Sequence, residues 1–145
     1  MRVVIRATLI VMIAFCAGCA SQPAPIMSAV ASGQARISIT RTDHALPFTR
    51  AEIKINGALI ELAPGQSYSG GVPPGPVTMT ASGKMDVGQY VVKFNAVAGK
   101  TYAFEVSQRA ERIAASAIGG VAGMMIESAA SGDQSGAFKI TEVAR

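Results

Sequence analysis

The chain has 145 residues, 50% of them hydrophobic and 15% charged, with 13 Lys and Arg against 9 Asp and Glu, one His and no Trp. That length accommodates one domain with a core of moderate size. Its charges are spread along the chain with no basic cluster and no aromatic interleaving, so a nucleic-acid partner is not indicated.

Residues 1–18, MRVVIRATLIVMIAFCAG, carry Arg2 and Arg6, no acidic residue, and an apolar run from Ala7 to Ala17. This is the layout of a secretory signal, and the apolar run is too short to span a bilayer as a mature helix. Ala17 and Gly18 stand directly before Cys19, where a lipoprotein signal peptidase needs small side chains to admit the backbone. The stretch resembles a lipobox, with Cys16 at the position that is usually Leu. Ordinary secretion, with cleavage near Ala20, is the alternative. On the lipoprotein reading Cys16 leaves with the signal and Cys19 is acylated. No thiol then remains for a disulfide, a metal site or a nucleophile. Thioether-linked diacylglycerol supplies two acyl chains, enough for lasting attachment where one is marginal. The expected partner is therefore the membrane, reached through the N-terminal lipid. Ala20 and Ser21, rather than Asp, follow the cysteine, which in the enterobacterial sorting rule implies the periplasmic face of the outer membrane.

Residues 19–34 then read as the lipidated cysteine and a flexible tether. Residues 21–34, SQPAPIMSAVASGQ, are uncharged and rich in Ser, Ala, Pro and Gln. Fully extended, this tether would reach about 45 Å at roughly 3.3 Å per residue.

From Ala35 the pattern becomes period two, and residues 35–145 read as one domain. ARISITR (35–41) sets Ile37 and Ile39 on one face and Ser38 and Thr40 on the other. AEIKI (51–55) and ALIEL (58–62) flank Asn56-Gly57, a strong hairpin signal because both residues accept positive φ. SYSGGV (67–72) stops at Pro73-Pro74-Gly75, where neither proline could donate to a ladder. Residues 76–82 place Val77, Met79 and Ala81 inward, and residues 87–97 form the longest expected strand. Ala98-Gly99-Lys100 turns the chain into TYAFEVS (101–107), and AFKITEV (137–143) repeats the alternation. The expected architecture is mainly β: a small antiparallel β-sandwich of about seven strands, with one Gly/Ala-rich helical segment before the last strand.

The order of INGALIELAPGQSY, VPPGPVTMTA and AGKTYAFEV resembles a family of bacterial lipoproteins, domain of unknown function 2846, over residues 35–143. The resemblance implies a small sandwich akin to PEGA and transthyretin-like domains, and it carries no catalytic residues across.

Candidate chemistry is sparse. His44 is the only histidine and offers neither a ligand cluster nor a base–nucleophile pair, so no metal site and no cofactor are expected. Asp43 precedes it, but neighbours on a strand point apart. The carboxylates Asp43, Glu52, Glu61, Asp86, Glu105, Glu111, Glu127, Asp133 and Glu142 show no pairing in sequence. Gly65 to Gly70 has the spacing of a phosphate loop but lacks the following Lys and Ser/Thr and sits in a strand pattern. Gly70-Gly71 instead marks a bulge or a tight approach between sheets.

Residues 113–130, IAASAIGGVAGMMIESAA, have no charge until Glu127. In a helix, Ala115, Gly119 and Gly123 fall on one face at steps of four, a spacing that lets two backbones come close. Ile113 to Ile126 would rise about 21 Å, short of a hydrocarbon core of about 30 Å, so a transmembrane span fails on length. A crossover buried against the sandwich and a surface for self-association or an envelope protein partner both remain open. The function these features favour is a non-catalytic binding or structural module of the cell envelope. A carbohydrate- or peptidoglycan-contacting module is the alternative, resting on Tyr68, Tyr90 and Tyr102, and a hydrolytic enzyme would need a cleft of convergent polar groups.

Overall fold

The computed structural model describes residues 23–43, 50–84, 86–111 and 133–144. Nine strands are named among them: β1 (Ile26–Met27), β2 (Ala35–Arg41), β3 (Ala51–Ile55), β4 (Ala58–Leu62), β5 (Ser67–Val72), β6 (Gly75–Gly83), β7 (Tyr90–Ala96), β8 (Thr101–Gln108) and β9 (Phe138–Glu142). They form a five-stranded sheet of order β1-β5-β2-β8-β9 and a four-stranded sheet of order β4-β3-β6-β7, packed as a sandwich.

Period-two patterning decides which face each residue presents. Ile37 and Ile39 of β2 are fully buried, as are Ile53 of β3 and Met79 and Ala81 of β6, whereas Arg36, Thr40 and Lys54 are exposed. Val106, Phe138 and Ile140 complete the core from β8 and β9. The hairpin forms where expected, with Asn56 at φ 49° and Gly57 at φ 89° and Ile55 opposite Ala58. Both central residues lie in the left-handed region, which a two-residue turn of this kind requires.

The sandwich is mixed rather than wholly antiparallel. β2 runs parallel to β8, with Ile37 opposite Tyr102 and Ile39 opposite Phe104, and β1 runs parallel to β5. Alternation fixes which residues face inward, but it does not specify the neighbour or its direction, and these pairings join segments far apart in sequence. The expected strand 87–97 is also shorter at its start. Gly88 takes φ 108°, and the ladder begins at Tyr90 opposite Ala81.

The stretch read as a flexible tether is, over residues 23–34, held along the edge of β5. Ile26 pairs with Tyr68 and Met27 with Ser69, Ser28 N donates to Ser69 O at 2.7 Å, and Gln66 Nε2 donates to Ala24 O at 2.9 Å. An open sheet edge offers unpaired N–H and C=O groups to any extended backbone in reach, and this uncharged segment supplies one. On the opposite side the two sheets are joined. Val91 N of β7 donates to Asp133 O at 2.8 Å, and Ser135 N donates to Gln89 O at 3.1 Å, just before the chain enters β9. The Gly/Ala-rich segment 113–130 lies outside the described residues.

Candidate functional site

The alternation that buries Ile37 and Ile39 also turns Arg41 inward at the end of β2, where it is fully buried. A buried guanidinium is tolerable only when its charge and N–H donors are met. Arg41 Nε lies 2.5 Å from Asp43 Oδ1, and Nη1 donates to the Leu62 carbonyl at 2.9 Å. Its Cζ sits 4.8 Å from the centroid of the Phe138 ring, a cation–π contact in a desolvated setting. One side chain thus ties β2 to the end of β4 and to β9. The sequence reading missed this residue, although the signal was present: Arg41 continues the parity of Ile37 and Ile39, and Asp43 follows two positions later.

Strand registers place several chain ends beside Arg41. β8 runs parallel to β2 and ends at Gln108, β3 begins at Ala51 opposite Gly83 at the end of β6, and Leu62 closes β4. Here Glu52, Ser82, Gly83, Lys84, Asp86, Gly88 and Gln89 line an open dish. Two of its lining residues, Asp86 and Gln89, fasten loops. Asp86 Oδ2 accepts the Ala137 N–H, and Ser135 Oγ accepts the Gln89 N–H at 3.3 Å. Glu52 faces Glu61 directly across the β3–β4 ladder, and Glu61 also approaches exposed Arg50 at 3.9 Å, an ion pair worth little in water. Among the described residues no three His, Cys, Asp or Glu side chains gather to form a metal site.

The tyrosines do not form an exposed platform. Tyr68, Tyr90 and Tyr102 are each half-buried and packed against the core. The Tyr102 ring stacks at a tilt 4.9 Å from Phe94, while its hydroxyl accepts from Val97 N at 3.1 Å and donates to Asn95 O at 3.2 Å. Tyr68 lies over Gly70, where an added Cβ would meet its Oη at 2.0 Å. Gly70-Gly71 does mark a tight approach, but the partners are Tyr68 and the 28–34 stretch rather than the other sheet: a Cβ on Gly71 would meet Gln34 Oε1 at 2.1 Å.

Cys19, His44, Ala115, Gly119 and Gly123 lie outside the described residues. No helix among the described residues is long and apolar enough to cross a membrane. No protein-family model matches this chain, and no curated protein matches it.

Proposed function

We propose that this protein is a lipid-anchored cell-envelope lipoprotein, cleaved before Cys19 and carried on the periplasmic face of the outer membrane, where its sandwich acts as a non-catalytic binding or structural module. The observation that carries this reading is the run Arg2, Arg6, the apolar residues 7–17, and Ala17-Gly18 before Cys19. The sorting to the outer membrane rests on Ala20 and Ser21. The motif order that resembles domain of unknown function 2846, a family of bacterial lipoproteins, supports the same reading.

Two structural observations favour a binding or structural role over the alternatives. Two residues lining the dish, Asp86 and Gln89, are engaged in fastening loops, which suits architecture better than chemistry. All three tyrosines are partly buried against the core, which leaves a sugar-contacting module less ring face to stack on than exposed tyrosines would give.

Cys19→Ser tests the proposal. Cells expressing the native chain should incorporate labelled palmitate into the protein, and a density gradient should band it with outer membrane. The variant should carry no label and accumulate as an uncleaved or soluble form. Labelling of the variant together with membrane fractionation would overturn the lipoprotein reading.

A further inference from the structure

We infer that the Arg41 end of the sandwich faces the bilayer at short range, with the 23–34 stretch acting as a fastened strap that sets the domain's orientation rather than as a loose leash. This inference rests on the lipid-anchor reading and adds to it which surface meets the lipid.

The strap is what shortens the reach. A free tether over residues 21–34 would let the domain stand about 45 Å from its anchor. Ala24, however, is bonded through its carbonyl to Gln66 Nε2, and Ile26 and Met27 are laddered to β5. Only five peptide steps separate Cys19 from Ala24, at most about 18 Å of chain. The lipids are therefore held close to whichever end of the sandwich carries Gln66.

Registers identify that end. Gln66 O accepts the Arg41 N–H at 2.9 Å, so the turn before β5 sits at the finish of β2. The far end carries the start of β2, where Arg36 N donates to Lys100 O at 2.8 Å. Between them β2 spans Ala35–Arg41, about 20 Å at roughly 3.3 Å per residue. Lys84, just beyond the end of β6 at Gly83, belongs to the near end, and Lys100 to the far end.

Exposed apolar side chains do not select an end by themselves. Met27, 68% exposed, pairs with Ser69 and so stands level with Ser38, midway along β2, while Leu59 and Val97 are exposed beside the far-end turns Asn56-Gly57 and Ala98-Gly99. The short run of chain between Cys19 and the Gln66-bonded Ala24 is what sets the orientation.

The test uses the full-length lipidated protein in phosphatidylethanolamine–phosphatidylglycerol vesicles doped with a headgroup-nitroxide lipid. The mature chain keeps only the acylated Cys19, so Lys84→Cys and Lys100→Cys each offer a single thiol for a fluorophore, and exposed Arg50→Cys is a second near-end site. The Lys84 and Arg50 labels should be quenched and the Lys100 label should keep its emission. A flexible Gly-Ser insertion between Ser21 and Gln22 should reduce the near-end quenching. Equal quenching at both ends, in protein whose mass shows the diacylglyceryl group, overturns the orientation while the lipid-anchor reading stands. A mass without lipid overturns both.

Discussion

The Arg41 side chain donates through Nη1 to the Leu62 carbonyl at 2.9 Å, a bond between the last residue of β2 in one sheet and the last residue of β4 in the other. The same guanidinium is paired with Asp43 and lies over Phe138. A core otherwise built of aliphatic and aromatic side chains thus has a charged clasp at one end.

Removing Asp43 should leave a buried cation with less compensation. Asp43→Ala is expected to lower the unfolding free energy by about 3 kcal/mol, the scale for breaking one partner of a buried pair. Adding Arg41→Met to that variant should recover part of the loss, because a long apolar side chain fills the site without a charge. Urea unfolding of the two single variants and the double variant gives the coupling directly, and simple additivity would mean the pair is not coupled.

Asn56 does two things in its turn. It holds φ 49°, and its Oδ1 accepts the Thr78 N–H at 2.9 Å. Asn56→Gly keeps the conformation and loses the bond, at about 1 kcal/mol. Asn56→Ala loses the bond and adds left-handed strain of about 1–2 kcal/mol. Thermal melting should therefore rank native above Gly and Gly above Ala, and a reversed order of the two variants would show that the backbone is not held left-handed.

The join between β7 and the lead-in to β9 leaves no room at Gly136. A Cβ there would lie 2.9 Å from Gln89 Cα and 3.0 Å from Ala81 O, both main-chain atoms that cannot rotate aside. Gly136→Ala should cost about 1–3 kcal/mol by overpacking. It should also speed amide exchange at Val91 and Ser135, whose N–H groups bond across this seam, more than at Ile37 in the centre of β2. Uniform acceleration would instead indicate global destabilisation.

Gly71 governs the strap. A Cβ would strike Gln34 Oε1, which accepts the Ala31 N–H at 2.9 Å, and would come within 3.1 Å of Val30 Cα. Gly71→Ala should loosen residues 28–34 at a cost of about 1 kcal/mol, the worth of a typical hydrogen bond. Limited proteolysis should then cut within this stretch well before the sandwich, and an unchanged cleavage pattern would show that the strap tolerates the methyl group.

What the sequence determined by itself was local. Period two in 35–41, 51–55 and 76–82 was enough to put Ile37, Ile53 and Met79 inside, and Asn56-Gly57 was enough to name a hairpin, because side-chain direction and turn conformation depend on residues close in the chain. The tertiary structure decided the pairings that reach across it. Whether β2 lies beside β8, whether residues 23–34 hang free or line β5, and whether an inward Arg41 finds an acceptor in Leu62 all depend on groups brought together from distant positions. Open edges and buried charges are satisfied by whatever backbone or side chain folding delivers to them, and a linear pattern of apolar and polar residues carries no record of which one that is.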